Sequence, residues 1–147
     1  MLDLLVDLEP DELEPRPSLA HLDLLVDRVR EAGLPVSVSV TGDPRPLPVG
    51  VDLSAYRIVQ EALTNTLKHG GRTTVEVGVS YLPDGVELRI ADAGSNGGPA
   101  ATVEPGTGRG LIGMRERAHL YGGTVEAGPA PTGGFLVRAV LPTTVPA

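Results

Sequence analysis

The chain has 147 residues with 41% hydrophobic content, enough for one domain with a real core and too few for two. A net charge of −7 with no basic cluster excludes a nucleic-acid-binding surface, and the absence of cysteine excludes disulfides and thiolate metal sites. No apolar run approaches the roughly 18 residues of a membrane span and no signal-peptide pattern opens the chain, so it is expected to be soluble and cytoplasmic, with any membrane link made through segments upstream.

The opening stretch places Leu2, Leu5 and Leu8 at helical spacing before Pro10, and reads as the tail of an upstream helix followed by a polar linker stiffened by Pro15 and Pro17. Ser18 is a plausible N-cap for an amphipathic helix carrying Leu19, Leu22, Val26 and Val29, stopped by Gly33. His21 lies on that helix and is assigned no chemistry. Val36, Val38 and Val40 alternate with polar residues and predict a strand, after which a proline-rich connection runs from Gly42 to Gly50.

The stretch from Asp52 to Gly71 predicts the central helix. Tyr56, Val59, Leu63 and Leu67 share one face, and Glu61, Asn65 and Lys68 form a polar stripe on the other at i, i+4 and i+7. A carboxylate can take or orient a proton, a carboxamide oxygen is a hard ligand suited to Mg²⁺, and an ammonium meets phosphate as a point charge. That combination suits a helix facing a Mg-nucleotide, while the same residues taken alone also fit a solvated face. Lys68 and His69, in the last turn, also complement the helix dipole.

Val75, Val77 and Val79, the turn Leu82-Pro83-Asp84-Gly85, and Val86, Leu88 and Ile90 predict a hairpin, with Asp92 at its end. Asp92 can accept a hydrogen bond from an exocyclic amine such as that of adenine, or simply terminate the strand in an Asx-type turn. Residues Ser95 to Gly106 are poor in apolar side chains and predict a mobile loop. From it emerges a helix with Leu111, Met114, Ala118 and Tyr121 on one side and Gly122-Gly123 at its end. Two strands close the chain: Thr124-Val125-Glu126-Ala127, and Phe135 to Pro142. The order of elements predicts an α+β fold, with helices on one face of a mixed sheet.

Gly108-Arg109-Gly110-Leu111-Ile112-Gly113 spells G-x-G-x-x-G, but a loop rather than a strand precedes it and Glu126 comes too soon for the ribose acid, so a dinucleotide fingerprint is rejected. What remains is a glycine-rich helix N-terminus able to approach phosphate with its free N–H groups.

Three ordered motifs resemble a known set. Tyr56 to His69 (Y-R-I-V-Q-E-A-L-T-N-T-L-K-H) looks like an N box, Ile90 to Gly94 (I-A-D-A-G) like a first glycine box, and Gly106 to Ala118 (G-T-G-R-G-L-I-G-M-R-E-R-A) like a second. They resemble those of the ATP-binding catalytic domain of bacterial two-component sensor histidine kinases, within the superfamily of gyrase and the heat-shock chaperone ATPases; the closest resemblance is to the nitrate/nitrite-sensor-like subfamily, from about Leu19 to Pro142.

The resemblance implies a two-layer sandwich of the Bergerat type, with a mixed sheet, about three helices on one face and a flexible ATP lid from Ser95 to Arg109. It implies ATP and Mg²⁺ as cofactors, Asn65 as the Mg²⁺ ligand and Glu61 as the acid/base or orienting carboxylate. Lys68 and His69 would sit near the phosphates. Asp92 would bond the adenine amine with Gly94 allowing close approach, while Gly108, Arg109, Gly110 and Leu111 would line the nucleotide.

Two positions depart from the family: Asn96 follows Ser95 where a second glycine is common, and Gly134-Phe135 stands where many relatives carry a Thr beside the adenine. The family phosphorylates a histidine on an upstream dimerisation domain, and nothing before Pro10 resembles that acceptor. The expected division is thus 1–17 as helix remnant and linker, 18–142 as the catalytic domain and 143–147 as tail, with a phosphoacceptor domain and a response regulator as partners. A serine kinase of anti-sigma type and a non-catalytic nucleotide-dependent module are the alternatives on the same fold.

Overall fold

A computed structural model describes residues 17–69, 73–93, 108–130 and 133–143, with the backbone alone at 69 and 108–111. After a 3₁₀ turn (Leu19–His21) come α1 (Leu22–Glu31), β1 (Val36–Thr41), α2 (Val49–His69), β2 (Val75–Leu82) and β3 (Gly85–Asp92). The chain then forms α3 (Gly108–His119), β4 (Thr124–Pro129) and β5 (Phe135–Pro142). The strands make one five-stranded mixed sheet in the order β1-β2-β3-β5-β4. β1 and β2 are parallel, joined by the crossover through α2, and the remaining pairs are antiparallel.

Alternation assigns the two faces of the sheet. Val75, Val77, Val79, Val86, Leu88, Ile90, Val137, Ala139 and Leu141 are buried beneath the helices. Residues between them, such as Glu76, Arg89, Arg138 and Glu126, line the open side, where Arg138 bridges Glu87 and Glu126 across strands. Leu22, Leu25, Val26 and Val29 of α1, Ile58, Val59, Ala62 and Leu63 of α2, and Met114 and Ala118 of α3 close the core from the other side. This is the expected two-layer α+β arrangement with three helices on one face of a mixed sheet.

Several local expectations are corrected. α2 begins at Val49 rather than Asp52, because Pro48 ends the connection and its carbonyl accepts the Asp52 N–H at 2.9 Å, one helical turn on. Ser18 does cap, accepting the Ala20 N–H, but it caps the 3₁₀ turn, and the α-helix proper starts at Leu22. Val38 and Val40 are 39% and 51% exposed although they share a face with buried Val77 and Val79; β1 is an edge strand and the helical layer does not reach its far half. Leu67 and Tyr121, expected on buried faces, are 40% and 39% exposed, each lying near or past a helix end where the layer thins.

Two polar connections fix the helices in place, one within the helical layer and one to the sheet. Asp52 accepts both the Ser18 hydroxyl (2.6 Å) and the Leu19 N–H (2.9 Å), tying the 3₁₀ turn to the first turn of α2. Arg30 donates twice to the Val36 carbonyl, at 3.0 and 2.7 Å, fixing the end of α1 to the start of β1. Among the described residues, no helix is long and apolar enough to cross a membrane.

Candidate functional site

The sheet has two unlike ends, and the connectivity decides what gathers at each. α2 starts at the end where β1 stops and delivers the chain, past His69, to the start of β2. β2 is antiparallel to β3 with Val75 opposite Asp92, so Asp92 comes back to the end where α2 finishes. The backbone confirms the closeness: the Ala93 N–H donates to the Thr73 hydroxyl at 3.1 Å and to the Thr74 carbonyl at 3.0 Å.

The third segment arrives at the same end. Tyr121, just past α3, packs against Gly50 at the start of α2, where a Cβ on Gly50 would lie 2.1 Å from the Tyr121 hydroxyl. The end of α3 therefore sits beside the beginning of α2, and the helices run antiparallel. Twelve residues of α3 rise about 18 Å, the span from Gly50 to Ala62 on α2. The N-terminus of α3 thus faces the half of α2 that carries Glu61, Asn65 and Lys68.

Glu61 and Asn65 are half-buried and Lys68 is exposed, so the stripe is neither sealed in the core nor wholly in solvent. Asn65 lies one turn beyond Glu61, with their Cβ atoms stacked at the i, i+4 spacing. Beside them the Thr66 hydroxyl donates back to the Ala62 carbonyl at 3.1 Å and takes no position in the stripe. The N–H groups of the first turn of α3 have no partner within their helix and carry the positive end of its dipole.

Asp92 is half-buried at the end of β3, and its Oδ1 accepts the main-chain N–H of Phe135, the first residue of β5, at 3.0 Å. The sequence reading of Gly134-Phe135 concerns the side-chain hydroxyl absent there and does not include this main-chain donor. The available signal was the Gly133-Gly134 pair directly before the strand.

Glu61, Asn65 and Lys68 of the helical layer and Asp92 of the sheet are thus carried toward the same end of the fold. Gly94 and the expected lid lie outside the described residues, apart from its last two positions; for His69, Gly108, Arg109, Gly110 and Leu111 the structure gives the helix but no side chain. Among the described residues no group of three or more His, Asp or Glu could hold a metal on its own. A shallow depression of about 600 Å³ on α3, lined by Gly113, Glu116, Arg117, His119 and Leu120, contains none of these residues.

The family described as histidine kinase-, DNA gyrase B-, and HSP90-like ATPase matches residues 50–145. The chain belongs to this family. It is 34% identical over 130 residues to the sensor histidine kinase LnrJ of Bacillus subtilis (strain 168), covering 87% of this chain and 31% of that protein. It is 36% identical over 94 residues to the oxygen sensor histidine kinase NreB of Staphylococcus carnosus (strain TM300), covering 64% of this chain and 27% of NreB. The chain thus spans under a third of the length of these relatives.

Among solved structures, the blue-light activated histidine kinase of Erythrobacter litoralis EL346 superposes with a TM-score of 0.67 at 23% identity, over 86% of this chain and 42% of that one, and shares its fold. With these likenesses the domain is an ATP-binding domain of the sensor histidine kinase type.

Proposed function

We propose that residues 18–142 form a catalytic domain that binds Mg-ATP where α2, β3 and α3 converge, and transfers its γ-phosphoryl group to a histidine on a dimerisation domain outside this chain. The observation that carries the reading is that convergence: an acid, a carboxamide, an ammonium, a strand-end carboxylate and a helix N-terminus share one end of the sheet.

In this reading Asp92 accepts the adenine amine and Gly94 lets the base approach. Asn65 supplies an oxygen to Mg²⁺, which neutralises charge on the phosphates. Lys68, His69, Arg109 and the N–H groups at Gly108, Gly110 and Leu111 hold the phosphate chain. Transfer breaks the bond between Pγ and the bridging oxygen and forms one between Pγ and the acceptor imidazole nitrogen. Glu61 orients that imidazole or takes its proton, and ADP leaves. Such chemistry rests on positioning and charge neutralisation. A response regulator would then take the phosphoryl group, and the ATP supply sets the reaction in the cytoplasm.

Titration of the chain with ATP in a calorimeter, with and without Mg²⁺, is the first test. Asn65→Ala is expected to weaken Mg-ATP binding by more than about tenfold with its Mg²⁺ dependence reduced; unchanged binding would remove Asn65 from the site. Radiolabel appearing on an added helix pair that carries a histidine, and lost in acid, would mark an N–P bond. Acid-stable label on a serine-bearing partner would instead assign the domain to serine phosphorylation.

A further inference from the structure

The strand that opens at Phe135 has no hydroxyl side chain to offer at the end where Asp92 lies, since residues 133–135 read Gly-Gly-Phe. Its contribution there is a main-chain donor. The Phe135 N–H points at Asp92 Oδ1 at 3.0 Å, from a residue 43 positions away in sequence. A carboxylate is planar, so holding one oxygen fixes the plane and direction of the whole group, and a bond to a charged acceptor is stronger than one between neutral partners.

The turn before β5 is built to aim that donor. Gly133 and Gly134 both have positive φ, 94° and 85°, a conformation that side-chain-bearing residues rarely adopt. Ala130 and the two glycines close the loop on itself: the Gly133 N–H donates to the Ala130 carbonyl at 3.0 Å and the Ala130 N–H to the Gly134 carbonyl at 2.9 Å. The Gly134 carbonyl is therefore taken up inside the turn, and the N–H of the same planar trans peptide, that of Phe135, points the opposite way, toward Asp92 on β3. Register agrees, because Ala91 lies opposite Leu136, which puts Asp92 next to Phe135.

We infer that the Phe135 main-chain N–H, set by the Gly133-Gly134 turn, is a positioning group that orients the Asp92 carboxylate for recognition of an exocyclic amine on the base, and so determines the preference for adenine. The inference rests on the assignment of Asp92 to the adenine amine. A carboxylate held in this way rewards a donor at the purine 6-position and gives nothing to a purine without one. Discrimination between purines depends on the strength and direction of that single contact.

The test uses the full chain with Mg²⁺ and two probes, ATP and purine riboside triphosphate, which lacks the 6-amine. The wild-type chain is expected to bind ATP about tenfold more tightly than the analogue, the fold-change of one charge-assisted hydrogen bond. Phe135→Pro removes the N–H at the first residue of a strand, a position where proline is tolerated, and should shrink the ratio to below about threefold while leaving the analogue's Kd unchanged. Phe135→Ala loses the same aromatic side chain but keeps the N–H, and should hold the wild-type ratio. A purely structural role would lower both affinities together and leave the ratio alone.

A full ratio in Phe135→Pro overturns the inference while the Mg-ATP site stands. A wild-type ratio near one overturns it through Asp92, and no ATP binding at all overturns the site as well. Should Phe135→Pro fail to fold, amide exchange decides: Asp92→Ala is expected to speed exchange at the Phe135 amide about tenfold relative to the β5 amides beyond it, and equal rates overturn the inference.

Discussion

The two ends of the sheet are built from the same strands and do opposite things. At the end where α2 begins and α3 stops, main chain presses on main chain. A Cβ on Gly42 would lie 2.1 Å from the Tyr81 carbonyl oxygen, one on Gly123 2.3 Å from that of Val140 and one on Gly85 2.7 Å from that of Leu141. Arg45 reaches across this end to the Leu82 carbonyl at 2.6 Å, with its guanidinium 5.9 Å from the Tyr81 ring centre. At the other end Glu61, Asn65 and Asp92 stay half-buried and Lys68 exposed. Among the described residues, the closest approaches of main chain lie where no motif does, and polar groups are left within reach of a ligand where the motifs meet.

That division predicts how substitutions partition between stability and binding. The largest loss belongs to neither end but to the core they share. Leu63 has no exposed surface on α2, and Leu63→Ala should lower the unfolding free energy by about 2–5 kcal/mol, read by urea denaturation. An effect below 1 kcal/mol would mean that α2 does not anchor both ends.

Next in size is the locked end. Gly42 has φ of 80° as well as the backbone oxygen in its path, so Gly42→Ala meets strain and a clash that only main-chain movement relieves. A cost of about 2–3 kcal/mol is expected. Gly50 is the control: the obstacle to its Cβ is the end of the Tyr121 side chain, which can swing away, and Gly50→Ala should cost less than about 1 kcal/mol. If the two cost the same, crowding by main chain is not what holds this end together.

Alkaline pH sharpens the same contrast. Burial pushes the Tyr56 phenol above its ordinary range against the opposing charges of Arg28 and Arg57, and burial and then the Asp52 carboxylate push up Tyr81, opposed by Arg45. Below about pH 10 both phenols are protonated in the folded and unfolded chains, and they contribute no pH dependence. Above it the unfolded chain releases protons first, so stability falls as pH rises through the folded pKa values. Tyr56→Phe should flatten part of that slope in pH-dependent denaturation; an unchanged slope would show that Tyr56 is not the group being uncovered.

Much of this was legible in the residues, for reasons that differ from place to place. The β2–β3 hairpin announced itself through two runs of alternating aliphatics around a Pro83-Asp84 turn, because period-two burial is written directly in side-chain type. α2 and its polar stripe followed from helical spacing. The exposure of Val38 and Val40 did not, since alternation says which residues share a face but not whether a helix lies over it. Leu67 is the same case: helical spacing puts it on the apolar face, but it lies in the last turn of α2 and is exposed. The Ser18–Asp52 and Arg45–Leu82 contacts join residues 34 and 37 apart, and the Arg45 and Phe135 contacts use main-chain groups that every residue possesses. In the candidate site the residue types were readable from the motifs, whereas their meeting at one sheet end depended on strand order and direction.

The smallest expected stability change tests the division most directly. Lys68 is exposed in the penultimate position of α2, where its charge complements the helix dipole but packs against little. Lys68→Ala should therefore shift the unfolding free energy by no more than about 0.5 kcal/mol. If the ammonium meets phosphate, the same substitution weakens Mg-ATP severalfold, and the loss shrinks as salt screens the interaction. Calorimetry at two salt concentrations beside urea denaturation of the same variant separates these readings. A stability loss comparable to that of Gly42→Ala would show that this end also holds the fold together, and a salt-independent affinity loss would show that Lys68 acts through helix geometry rather than through its charge.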